Sequence, residues 1–268
     1  MTRSNWRTPL AVLICGGIIL TLSLGTRHTF GLYLQPMTID LGWSRETFAI
    51  AIAIQNLVYG FATPFTGMIA DKWGTARVLI VGAVLYALGM AWMAYSTTGP
   101  EFVLSAGVLV GIGLSCTGFS PIFGVVARAF PPEKRTLALG ITGSAGSFGQ
   151  FLMLPYGQTL ITHIGWHNAL LICAATVLLI IPLSAALVEN GKGLAATSHK
   201  QSIPEALREA FSHSGFVLLC SGYFVCGFQL LFISVHFPAY LIDQRMTPET
   251  GMMALALIGL FNIFGTYL

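Results

Sequence analysis

Arg27 is the residue around which chemistry in this chain has to be built, because it is a permanent cation inside a long apolar run from Leu10 to Leu34. A guanidinium keeps its proton and presents five donors in a planar fork, which suits it to gripping a carboxylate or another anion. At the helical rise it lies roughly 10 Å from the outer end of its run and well over twice that from the inner end. An arginine at that depth costs about 2.5 to 3.5 kcal/mol on insertion scales, so it should face a bundle interior or water rather than lipid. Two uses stay open: anchoring an anionic substrate, or a structural role, either paired with backbone carbonyls or a polar neighbour or snorkelling outward. His28 projects about 100° away on the same helix, as a packed polar residue or a proton carrier. Tyr33, Asn56, Gln150, Tyr156, Gln229, His236, Tyr240 and Asn262 also interrupt apolar runs. Each can hydrogen-bond a solute or tie one helix to another. Tyr33, Gln150, His236 and Asn262 are taken with Arg27 as the candidate substrate contacts. The 10 acidic residues all fall at run ends or in loops, so proton coupling would fall to His28, His236 or Asp243 near the outer mouth. No nucleophile with its base, phosphate loop or carboxylate pair is present, so the expectation is a protein that is not an enzyme and needs no cofactor.

The elements that position these residues are membrane spans. Of 268 residues 55% are hydrophobic and 9% charged, with a mean hydropathy of +0.77; a soluble domain could not bury that much apolar surface. The formal charge of +3 argues against a nucleic-acid partner. Cys15, Cys116, Cys173, Cys220 and Cys226 all lie in apolar runs, where a thiol acts as a small hydrophobe, so neither disulfides nor a metal site is expected. Crossing a bilayer takes about 20 apolar helical residues. Eight runs qualify: Leu10 to Leu34, Thr47 to Ala70, Val78 to Tyr95, Phe102 to Ala127, Leu137 to Thr162, Ala169 to Val188, Phe216 to Leu241 and Gly251 to Leu268. The first is too long for a signal peptide and leads straight into further spans.

Basic residues mark the cytoplasmic ends of spans. Arg3, Arg7, Lys72, Arg77, Arg128, Lys134, Arg135, Lys192, Lys200 and Arg208 fall at one set of ends, and only Arg45 and Arg245 at the other. The reading is a multi-pass protein of the cell membrane with its amino terminus in the cytoplasm. The polar stretch from Glu189 to Ser214 reads as a linker ending in a short amphipathic helix after Pro204. That divides the chain into a six-helix bundle (1–190), a cytoplasmic linker (191–214) and the start of a second bundle (215–268). Tyr33-Leu34 precedes Asn56 by nearly the interval that separates Tyr240-Leu241 from Asn262, the mark of parallel repeats. On that offset the counterpart of Gly67 falls just past Leu268, and about four further helices are expected to complete the second bundle. Gly107, Gly111, Gly113 and Gly118, with Gly143, Gly146 and Gly149, recur at spacings that let the fourth and fifth spans pack closely.

Between the second and third spans stands Gly67-Met-Ile-Ala-Asp71-Lys72-Trp-Gly74-Thr-Ala-Arg77. Its glycines permit a tight turn and close helix approach, Asp71 can cap or face a helix amino terminus, and Lys72 with Arg77 can anchor the inner surface. The segment resembles the G-x-x-x-D-[RK]-x-G-x-[RK]-[RK] gating motif of the major facilitator superfamily, departing from it at Ala76. The resemblance implies an all-α membrane protein of major-facilitator type: a complete six-helix bundle plus the first two helices of a second.

Within that superfamily the chain is similar to the monocarboxylate and oxalate-formate porters. The likeness rests on Arg27-His-Thr-Phe-Gly31 followed by Leu41-Gly-Trp-Ser-Arg45, on Arg135 through Gly140 with Gly143, Gly146, Gly149 and Pro155, and on Gly259-Leu-Phe-Asn262-Ile-Phe-Gly265. It implies alternating access around a central anion site, with a small carboxylate as substrate and a proton or counter-anion as coupling partner. The family's N-x-x-G-R pattern carries a substrate-facing arginine where this chain has Thr266, and a hydroxyl cannot supply that charge-assisted pair. Arg27 is left as the intramembrane cation. The alternative is a non-transporting membrane protein on a transporter fold: a sensor, a partner subunit or an inactive truncation.

Overall fold

The computed structural model describes residues 8–188 and 203–265. Every regular element among them is helical. Seven continuous helices are long and apolar enough to span a bilayer. They are α1 (Pro9–Leu41), α2 (Arg45–Trp73), α3 (Thr75–Tyr95), α4 (Gly99–Ala129), the run Pro132–Leu187 and, past a short helix, Ser214–Asp243 and Pro248–Gly265. The run Pro132–Leu187 holds two spans. Gly165 within it has φ 79° and ψ 162°, and Tyr156 Oη lies 3.0 Å from Thr176 Oγ1, a pair that an unbroken helix would hold about 30 Å apart. Residues 132–164 are therefore α5 and residues 166–187 are α6. The short helix Ile203–Ser212 is α7, followed by α8 (Ser214–Asp243) and α9 (Pro248–Gly265). The eight spans expected from the sequence are present; residues 189–202 of the expected linker, and Thr266, lie outside the described residues.

Local sequence starts and stops these helices. Thr8 caps α1 by accepting from Ala11 N at 3.2 Å, Ser44 caps α2 through Thr47 N at 3.3 Å, and Thr98 with Glu101 forms a capping box on α4, each supplying a donor or acceptor that the first turn lacks. α1 ends at Gly42 (φ 65°) and α2 at Gly74 (φ 94°), conformations that only glycine adopts without strain.

Small residues bring the backbones together. A Cβ on Gly25 of α1 would stand 2.6 Å from the Gly149 carbonyl oxygen of α5. The glycines of the fourth and fifth spans do permit close packing, but mainly against other helices. Gly107 and Gly111 abut Ala51 and Gln55 of α2, Gly113 abuts Tyr86 of α3, and Gly149 abuts Thr21 of α1. Buried hydroxyls and amides tie the bundle at the same places: Ser23 to Thr117 at 2.7 Å, Gln55 Nε2 to Ala106 O at 2.7 Å and Thr21 Oγ1 to Ala145 O at 2.9 Å.

α8 and α9 meet this bundle unevenly. Ser234, Val235, Pro238, Ala239 and Leu241, in the C-terminal part of α8, are buried where that helix meets residues 30–41 of α1, whereas residues 214–229 are exposed throughout. α9 lies along α5, where a Cβ on Gly259 would come 2.9 Å from Phe151 N. The helices thus close together at one end and stand apart at the basic end.

Candidate functional site

About two-thirds of the way along α1 the hydrogen-bonding tightens at Thr29, whose N–H turns to Thr26 O at 3.1 Å while its backbone stays helical (φ −74°, ψ −14°). Arg27 and His28 sit in the turn just before Thr29. They open onto a narrow cleft bounded by Phe30 and Gly31 of α1, Ile52 and Gln55 of α2, and Leu230, Leu231, Ser234 and Val235 of α8. The first helix continues to Leu41 rather than Leu34, which puts Arg27 about 21 Å from its C-terminal end. Arg27 donates from Nη2 to Asn56 Oδ1, and its guanidinium carbon stands 5.1 Å from the centroid of the Tyr59 ring. Asn56 Nδ2 is committed to Ile52 O at 2.7 Å, which turns the amide oxygen toward the cation. An amide oxygen and a π face stabilise a guanidinium but neutralise none of its charge. Among the described residues the ion pairs are Arg45 with Asp243 and Arg128 with Asp71, so Arg27 reaches the cleft with its charge uncompensated.

The other candidate contacts are dispersed. Tyr33 is 0% exposed and turns its hydroxyl to Cys173 of α6 at 3.6 Å, away from α8. Gln150 is buried and donates to Leu255 O at 3.0 Å, joining α5 to α9. His236 is half-buried with its ring 5.2 Å from that of Phe232 on its own helix. Asn262 is exposed on α9. Of the polar residues weighed beside them, Asn56 is the one that reaches Arg27; Tyr156 pairs with Thr176, and Gln229 and Tyr240 are exposed. The sequence reading did not single out Tyr59, although its place one turn beyond Asn56 on the same face of α2 was a usable signal.

At the basic end the loop motif joins α2 to α4. A Cβ on Gly67 would come 2.6 Å from Ser120 Oγ, and Arg128 Nη1 donates to Asp71 Oδ1 at 2.9 Å. Asp71 therefore pairs across helices and does not cap α3, whose N-cap, Gly74, makes no side-chain bond. Lys72 and Arg77 are both exposed. At the opposite end Arg45, at the start of α2, donates bidentately to Asp243, at the end of α8, at 2.6 and 2.8 Å. Beneath that pair lies a cavity of about 390 Å³ between α1, α5, α8 and α9, with Gln35, Gln158 and Thr162 in its wall. Among the described residues no three His, Cys, Asp or Glu side chains converge as a metal site would require.

Known proteins share this arrangement. Monocarboxylate transporter 11 of Mus musculus is 29% identical over 237 residues, covering 84% of this chain and 50% of its own length. An uncharacterized MFS-type transporter of Bacillus subtilis, YcxA, is 27% identical over 253 residues, covering 89% of this chain and 59% of its own. The chain thus spans about half the length of the curated relatives it matches. Among solved structures, a bacterial homolog of the human lysosomal transporter Spinster in an inward-facing, unoccupied conformation superposes with a TM-score of 0.72 at 18% identity, over 99% of this chain and 62% of that one. A D-xylose-proton symporter gives 0.66 at 16%, over 96% and 66%. The Major Facilitator Superfamily model matches residues 13–268. With eight spanning helices in this order and a motif loop that closes α2 on α4, the chain belongs to the Major Facilitator Superfamily.

Proposed function

We propose that the protein is a secondary transporter that moves a small organic anion, of monocarboxylate type, across the cell membrane by alternating access. Residues 1–190 form one rocking bundle, 191–214 the cytoplasmic linker, and 215–268 begin the second bundle; the basic end faces the cytoplasm. The observation that carries the reading is the uncompensated guanidinium of Arg27 in a cleft between α1, α2 and α8. A buried cation without a counter-charge is costly, and an entering carboxylate relieves that cost by a charge-assisted, bidentate pair. Closure at the Arg45–Asp243 end with α8 standing free at the basic end supports an inward-open state.

The names of the curated relatives favour the same substrate class, since several are monocarboxylate transporters. Uptake by proteoliposomes holding the protein provides the test, with radiolabelled short-chain carboxylates set against their neutral amides. Saturable uptake of an acid and not of its amide is expected. Equal uptake of both, or uptake of neither by folded protein, overturns the anion assignment.

A further inference from the structure

Away from the cleft, α2, α3 and α4 enclose a second groove of about 290 Å³. Its wall is made of Ile69, Val78, Val81, Leu85 and Ile112, with Trp73 and Arg77 at the end nearest the motif loop. The polar atoms in that wall are occupied: Thr66 Oγ1 donates to Thr63 O and Ser115 O, both at 3.0 Å. What remains is an apolar slot with a cation at one end. From Arg77 to Leu85 it runs about 12 Å at 1.5 Å per residue. Its length and apolar wall suit a hydrocarbon chain, and the cation at its end suits a negative headgroup. Arg77 is exposed and, among the described residues, makes no ion pair; the nearby carboxylate, Asp71, is taken by Arg128.

We propose that this groove is a binding site for an anionic phospholipid, with one acyl chain along Val78, Val81 and Leu85 and the phosphate on Arg77. A basic residue at the mouth of an inter-helix pocket recognises the headgroup charge, an interfacial tryptophan flanks the glycerol level, and the apolar wall selects a chain over a soluble anion. The site is separate from the Arg27 cleft and stands whether or not that cleft carries a substrate.

Fluorescence quenching tests it on the full chain reconstituted in phosphatidylcholine bilayers, with Trp6, Trp43, Trp92 and Trp166 replaced by Phe so that Trp73 reports alone. Phosphatidylglycerol with brominated acyl chains should quench Trp73 at a mole fraction about three-fold lower than brominated phosphatidylcholine does. Arg77→Gln should bring that ratio to about one and Arg77→Lys should keep it. Val81→Phe, which fills the slot, should weaken quenching by both lipids. Should Arg77→Gln not fold, the unsubstituted Arg77 chain still decides: raising salt from about 0.1 to about 1 M shortens the Debye length from about 10 to about 3 Å and should erase the preference. Equal quenching by the two lipids at low salt, a preference that survives Arg77→Gln or high salt, or no quenching by either lipid overturns the proposal.

Discussion

A guanidinium at mid-bilayer needs partners, and the ones chosen here are neutral. Asn56 offers Arg27 an amide oxygen and Tyr59 a ring face, and no carboxylate reaches it among the described residues. Those partners fix the guanidinium while leaving its charge available to an anionic solute, as the proposed function requires. Asn56→Asp would supply an internal carboxylate in the substrate's place. A carboxylate at hydrogen-bond distance competes directly with the solute, so the apparent KM for an acid substrate should rise by about ten-fold or more while the protein folds normally, since a buried charge pair of this kind is worth at least about 1.4 kcal/mol to an incoming competitor. Uptake kinetics check this, and an unchanged KM would mean the solute does not meet Arg27. The depth of Arg27 was legible in the sequence because one cation in an apolar run is conspicuous. The facing of Tyr33 was not: a helix that is apolar all round carries no stripe to say which side meets its neighbours, and Tyr33 turned to Cys173 instead of the cleft.

At the scale of the elements, close backbone approach fixes how α1 lies on α5. Thr21 and Gly25 abut Gly149 with no room for a side chain, so Gly149→Leu must push two backbones apart. Overpacking of this kind costs about 1–3 kcal/mol or more. Gly140, on the same helix, faces open space with nothing within 4 Å, and Gly140→Leu should be tolerated. Thermal unfolding in detergent should show a marked loss for the first substitution and little change for the second; equal behaviour would contradict the packing described. The eight spans were legible because length and hydropathy suffice to mark a bilayer crossing. Their ends were less so, since α1 runs on through Gln35, Pro36 and Asp40 to Leu41 and α5 begins at Pro132 among Glu133, Lys134 and Arg135. A helix continues past the hydrocarbon once charged side chains can reach water, and hydropathy does not register that extension. The pairing of Asp71 with Arg128 was not legible either, because the two are distant in sequence and close only in the fold.

For the molecule as a whole, the decisive asymmetry is that the helices meet at the Arg45–Asp243 end and separate at the basic end. An exposed ion pair is a weak latch, so Arg45→Ala should alter transport by no more than a few-fold. A covalent latch is different. With Arg45→Cys and Asp243→Cys in a background lacking Cys220 and Cys226, a short bifunctional thiosulfonate linker should stop uptake, and reduction should restore it; uptake that persists after complete cross-linking would contradict alternating closure at this end. The central claim remains that Arg27 anchors an organic anion, and it is tested most directly by carboxylate uptake into proteoliposomes holding the complete protein with Arg27 or with Arg27→Gln. The account predicts saturable uptake that falls by about a hundred-fold or more in the Arg27→Gln protein, since removing a desolvated charge pair to a bound carboxylate costs roughly 3 kcal/mol. Uptake unchanged in a folded Arg27→Gln protein would contradict it.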